Sequence, residues 1–128
     1  MEFKDKQSIY LQIADYIGEQ ILLGQWPPGE RIPSVRDLAA SLEVNPNTVV
    51  RSFEYLQGKD IIYSQRGIGY STAENAVELI RADRRERFLD TELPDLFKTM
   101  YLLDISLGDL QTRYGKYVAA AEYPSNTP

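Results

Sequence analysis
The side chains best suited to recognition chemistry cluster at Asn45-Pro46-Asn47-Thr48, with Arg51 one helical turn later. An asparagine amide offers a donor and an acceptor side by side and can bond an adenine edge in two places. A threonine hydroxyl can meet a base or a phosphate. Pro46 suits the first position of a helix, where the N–H it lacks would have had no partner anyway. Asn45 then stands at the N-cap, and the helix start offers its free N–H groups to an anion such as phosphate. Capping is the commoner duty of an asparagine in that place. Asn47 and Thr48 lie past the cap and are the stronger candidates to read bases. Arg51 can reach DNA from there, or can pair with an acidic residue one turn away.

Few other chemistries are open to this chain. Its 128 residues include neither cysteine nor histidine. Disulfides and thiolate metal sites are therefore excluded, and so are the commonest general base and the commonest metal ligand. A carboxylate or tyrosine site would need a constellation that the sequence does not display. The expectation is a protein that is not an enzyme and holds no metal or cofactor. No apolar run approaches the roughly 18 residues needed to span a bilayer. Met1-Glu2-Phe3-Lys4-Asp5 lacks the apolar stretch of a signal peptide, so the expected location is the cytoplasm.

The elements that must position these residues follow from periodicity. Ile9, Ile13, Ile17 and Ile21 recur every four residues, widened by Leu11, Tyr16 and Leu22, and predict a helix over 7–23. Gly24 is its stop and Trp26-Pro27-Pro28-Gly29 a turn. Ser34 caps a second short helix, with Asp37 three residues on and an apolar face of Val35, Leu38, Ala39 and Leu42. Glu43-Val44 is a tight turn. The third helix runs from Pro46 to about Gly58, with Val49, Phe53 and Leu56 inward. Ile61 to Ser64 is a strand, Arg66-Gly67-Ile68-Gly69 a hairpin tip, and Tyr70 to Thr72 the returning strand.

Two short helices joined by a tight turn, then a hairpin, make a winged helix-turn-helix. The second helix of such a pair lies in the major groove with its amino-terminal residues against base edges. Arg36 sits in the first turn of the helix that crosses the backbone, which favours a DNA contact over a solvated charge. Ser34 can cap and contact phosphate at once. Arg66 is a plain turn residue or, at a basic wing tip, a minor-groove contact. Gly67 and Gly69 permit positive φ and a close backbone approach to DNA.

Composition changes after Thr72. Residues 75–91 read as a charged helix carrying Arg81, Arg84, Arg85 and Arg87. Asp83, Glu86 and Asp90 interleave with them, so an ion-paired face is the stronger reading than a nucleic-acid patch. Leu93-Pro94 is expected to break this helix. A further helix over 95–103 carries Leu96, Met100 and Leu103. Ser106 and Asp109 look like the capping box of a last helix with Leu110, Tyr114 and Val118, and residues 123–128 should fray. Phe88, Phe97, Tyr101, Tyr114 and Tyr117 exceed what two short helices can bury. A second copy is the simplest partner for such a face.

Four runs align with one known pattern: Ile9-Tyr10-x-Gln12-Ile13; Gly24-x-x-x-Pro28-Gly29-x-x-Ile32-Pro33-Ser34-x-Arg36-x-Leu38-Ala39; Val44-Asn45-Pro46-Asn47-Thr48-Val49; and Gly67-x-Gly69-Tyr70. Together they cover roughly residues 8–71 in register. The chain resembles the GntR family of bacterial transcription regulators, and within it the YtrA-like subfamily with a short helical tail. The resemblance implies that Ser34 and Arg36 touch the DNA backbone and groove. It implies that Asn45, Asn47 and Thr48 read the major groove, and that Arg66-Gly67 enters the minor groove. It also implies repression of a nearby operon, often one encoding a transporter. The family usually carries Gly where this chain has Asp60, Phe is commoner at Tyr70, and Val is expected at Ser71.

The expected fold class is α+β, mostly α: a winged helix-turn-helix over 1–73 and a helical dimerisation tail over 74–128. The expected partner is a double-stranded, pseudo-palindromic DNA operator bound by a homodimer. The tail is too short for the effector-binding or aminotransferase-like domains of other GntR branches. No well-formed small-molecule pocket is expected, and any effector would bind at the dimer interface or between the domains. Net charge is −5, and residues 1–73 hold 7 basic against 9 acidic side chains. Few phosphates can then be neutralised, which predicts modest non-specific affinity. The same acidity is the one argument for a rival reading, a protein-interaction module on a winged-helix scaffold.

Overall fold
The computed structural model describes residues 8–121. The expected fraying of 123–128 lies outside them. Helices α1 (Ile9–Leu22), α2 (Val35–Leu42) and α3 (Pro46–Gly58) precede strands β1 (Ile62–Gln65) and β2 (Gly69–Thr72). Helix α4 (Ala76–Arg87), a π-helical turn (Phe88–Glu92), α5 (Leu93–Leu103) and α6 (Leu107–Ala121) follow. The chain forms two compact units, the first running through Arg85 and the second starting at Glu86.

In α1, Ile13, Ile17 and Ile21 are buried, but Ile9 is 55% exposed. A strict four-residue repeat drifts round a helix of 3.6 residues per turn, so its first member leaves the core face. Gly24, at φ +81°, ends the helix in a conformation glycine adopts without strain.

α2 starts as expected: the Ser34 Oγ accepts a hydrogen bond from the Asp37 N–H at 3.0 Å. It stops at Glu43, which takes the left-handed conformation, while the Val44 N–H reaches back to the Ala39 carbonyl at 3.0 Å. That closing bond is the Schellman motif, built here without glycine.

The hairpin is antiparallel, with Ile62 opposite Thr72 and Gln65 opposite Gly69. A feature absent from the sequence expectations completes it. Residues 29–32 run along the outer edge of β2: Gly29 N–H donates to Thr72 O, Thr72 N–H to Glu30 O and Ile32 N–H to Tyr70 O, at 2.9–3.0 Å. β2 is therefore bonded on both edges, which ties the wing to the segment just before α2.

Ile17, Ile21, Val49, Phe53, Ile61 and Ile62 form the centre of the core. Tyr70 stands edge-on to Phe53 with centroids 4.8 Å apart, so the tyrosine keeps the packing role expected of a phenylalanine there. Two buried hydroxyls lock elements together. Ser52 Oγ lies 2.7 Å from the Tyr10 carbonyl of α1, and Thr72 Oγ1 donates to the Pro27 carbonyl at 2.6 Å.

Asp60 has φ +65°, which explains the family's preference for glycine at this position. Left-handed backbone costs an L-residue about 1–2 kcal/mol, less for aspartate, and glycine returns part of this through its freer unfolded chain. Asp60→Gly should therefore raise stability by about 0.5 kcal/mol in urea titration. A destabilised variant would mean that the Asp60 side chain makes an interaction worth more than the strain.

α4 differs from its expected role. Ala76 and Ile80 are buried in the core of the first unit, and Ile80 Cγ2 lies 3.3 Å from where a Cβ on Gly18 would stand. Asp83, expected on an ion-paired solvent face, is turned inward. Both its oxygens accept from the Tyr55 hydroxyl, at 3.0 and 2.9 Å, and Lys59 Nζ is 3.3 Å away. Arg84 points to Asp15 of α1, at 4.0 Å. Two charges of this helix thus reach α3 and α1.

The expected break at Leu93-Pro94 does not occur. The backbone widens instead into the π-helical turn, where the Leu93 N–H reaches Phe88 O, five residues back. Pro94 then falls in the first turn of α5, where no N–H is required of it.

In the second unit, Met100 is buried, whereas Leu103, on the same expected face, is 65% exposed. Ser106 Oγ accepts from the Asp109 N–H at 3.0 Å, capping α6 as expected. Phe97, Tyr101, Leu102, Leu107, Tyr114 and Tyr117 are all exposed, Tyr101 to 86%. Leu96, Leu107, Leu110, Tyr114 and Tyr117 line an open, largely apolar groove of about 630 Å³.

Candidate nucleic-acid interface
The amino end of α3 is built by its own first residues. Asn45 is extended, and its Oδ1 accepts from the Asn47 N–H at 2.7 Å. This bond satisfies one of the helix's orphan donors and fixes the direction of the first turn. The Asn45 carbonyl accepts from the Thr48 N–H at 3.0 Å. Val49, Ser52, Phe53 and Leu56 anchor the opposite face in the core. Asn45 and Asn47 are exposed and Thr48 half-buried.

An open groove of about 350 Å³ gathers Asn45, Asn47, Thr48 and Arg51 against Ser8 and Tyr10 at the start of α1. Arg51 makes a contact outside the two alternatives its spacing suggested. Its guanidinium lies over the Tyr10 ring, 4.2 Å from the centroid. Tyr10 thus joins the candidate site, although its residue type and spacing do not single it out. The signal was its place at the start of α1, but only the packing of α1 on α3 gives it a target.

The remaining candidates lie on other elements of the first unit. Ser34 is half-buried with its oxygen engaged as a cap, and Arg36 is exposed in the first turn of α2. Arg66 and Gly67 are exposed at the hairpin tip, and the Ile68 N–H closes the turn on Gln65 O at 2.9 Å. Gly67 has φ +79° and Gly69 φ +111°, so both need glycine's freedom. The Arg31 side chain runs past Gly69, its Nε 3.5 Å from where a Cβ would stand. Arg31 adds an exposed cation beside the wing. It went unnoticed because the short edge segment that carries it shows no alternation of its own.

Among the described residues no group of three or more carboxylates gathers to hold a metal ion, and no helix is long and apolar enough to cross a membrane.

Comparison with known proteins matches this arrangement. The profile described as "Bacterial regulatory proteins, gntR family" matches residues 9–71. The chain is 39% identical over 75 residues to the HTH-type transcriptional regulator YhcF of Bacillus subtilis, covering 59% of this chain and 62% of that protein. It is 43% identical over 68 residues to the HTH-type transcriptional repressor YtrA of the same organism, covering 53% and 52%. The match therefore spans about three fifths of the one relative and half of the other. A crystal structure of a GntR-family transcriptional regulator from Bacteroides thetaiotaomicron is 44% identical and superposes with a TM-score of 0.74, over 90% of this chain and all of that one. On its motifs, its winged helix-turn-helix and these likenesses, the chain belongs to the GntR family of bacterial regulatory proteins.

Proposed function
We propose that this chain is a sequence-specific DNA-binding transcription regulator acting in the cytoplasm as a homodimer on a pseudo-palindromic operator. The observation that carries this reading is the amino end of α3: capped by Asn45, exposed at Asn45 and Asn47, and furnished with Asn47, Thr48 and Arg51 on one groove. A helix start of this kind can enter a major groove; the N–H groups expected to be free there are instead bonded to Asn45, so what favours phosphate is the positive end of the helix dipole together with the side chains. Arg36, Ser34 and the glycine-bearing tip at Arg66-Gly67 supply backbone and minor-groove contacts. The exposed apolar faces of α5 and α6, with the groove at Leu96, Leu107, Leu110 and Tyr114, supply the dimer contact. Dimer symmetry then demands matched half-sites. The naming of YtrA as a repressor supports repression, here of a nearby operon.

A binding-site selection from random duplexes, followed by gel shift with the upstream region of the chain's own gene, tests the reading. Enrichment of a two-fold symmetric site is expected. No enrichment, with the protein folded, would favour the interaction-module alternative suggested by its acidity.

The contacts are separable. Arg36→Ala and Arg66→Ala should each weaken binding to all sequences and flatten the salt slope by about one unit. Asn47→Ala should cost about 1–3 kcal/mol at selected base pairs only. Three variants that bind like the wild type, with melting curves unchanged, would refute the assignment.

A further inference from the structure
We propose that Tyr10 is a positioning residue for DNA recognition, its ring holding the Arg51 guanidinium in place beside the amino end of α3 before DNA arrives. This rests on the regulator reading above and assigns a new residue within it. The contact is direct, with Arg51 Cζ over the ring and 4.2 Å from its centroid. A guanidinium held over a ring face by its positive charge uses none of its N–H donors as conventional hydrogen bonds, so they can still meet phosphate or a guanine edge. Asn45, Asn47, Thr48, Arg51 and Tyr10 line one groove, so the held cation lies among the candidate base readers.

Tyr10 is itself held from two sides. Its carbonyl accepts from Ser52 Oγ of α3 at 2.7 Å. Its ring meets the ring of Tyr55 edge-on, with centroids 6.3 Å apart and planes at 63°. The Tyr55 hydroxyl is bonded to both oxygens of the buried Asp83 of α4. A chain of contacts, Asp83 to Tyr55 to Tyr10 to Arg51, therefore fixes the orientation of an exposed arginine from the interior. An arginine that must be ordered on binding loses rotamer freedom at that moment, and one already stacked loses less.

The experiment uses the full chain with a duplex obtained by the selection described above. Tyr10→Leu should lower affinity about three- to ten-fold, the cost of ordering one long side chain. Tyr10→Phe, which keeps the ring, should bind within about two-fold of the wild type. In an Arg51→Ala background, Tyr10→Leu should cost nothing further. A readout without DNA accompanies these. The Arg51 side-chain resonances should be displaced upfield by the ring in the wild type and in Tyr10→Phe, and should return to ordinary values in Tyr10→Leu.

Two results would overturn the proposal while leaving the regulator reading intact: Tyr10→Leu binding as tightly as a wild type that binds, or a loss of the same size without Arg51. Arg51 resonances indifferent to the ring would overturn it as well. A wild type that selects no duplex would sink the regulator reading, and this proposal with it.

Discussion
Ending the chain after Arg87 is expected to leave a folded monomer whose operator affinity is about 100-fold or more below that of the full chain. The cut keeps Ala76 and Ile80 in the core and Asp83 on Tyr55, so the first unit loses none of its buried residues. It removes the exposed apolar faces of α5 and α6. Without them each half-site must be bound alone, and the gain from making the second binding event intramolecular disappears. Light scattering gives the mass and fluorescence anisotropy the affinity. A monomer that binds as tightly as the full chain would remove the tail from the mechanism. A fragment that stays dimeric would move the dimer contact to the first unit. The placement of the cut is decisive: ending the chain at Thr72, the boundary suggested by composition, would strip the core of Ala76 and Ile80 and confuse unfolding with loss of dimerisation.

Ile80→Ala should destabilise the first unit by about 3 kcal/mol, the usual cost of emptying a buried aliphatic position. For a unit of this size the melting midpoint should fall by about 12–24 °C. The site cannot collapse easily, because the facing residue is Gly18, which has no side chain to fill the void. Arg81→Ala, on an exposed position of the same helix, should stay within about 0.5 kcal/mol of the wild type. Calorimetry on the full chain compares the two. A loss below about 1 kcal/mol for Ile80→Ala would mean that α4 unfolds independently of the winged helix.

The sequence by itself determined the caps and turns of the first unit, including the start of α3. Ser34 and Asn45 cap α2 and α3 because short oxygen-bearing side chains can bond the N–H groups two or three residues on. Pro46 marks the first position of α3, and the glycines at 67 and 69 mark the hairpin tip through their positive φ. Such signals act within a few residues, so no fold is needed to interpret them.

What tertiary structure alone decided involves pairs far apart in the chain. Asp83 looks like one charge in a charged helix until α4 lies against α3 and the Tyr55 hydroxyl meets it. Residues 29–32 become an edge of the wing only because β2 passes beside them. Arg51 had an acidic neighbour or DNA as its foreseeable partners, and the packing of α1 on α3 places the Tyr10 ring beneath it as well. A side chain's type limits which bonds it can make. Which of them it makes depends on the groups that folding brings within about 3–4 Å, a distance that spacing along the chain does not encode.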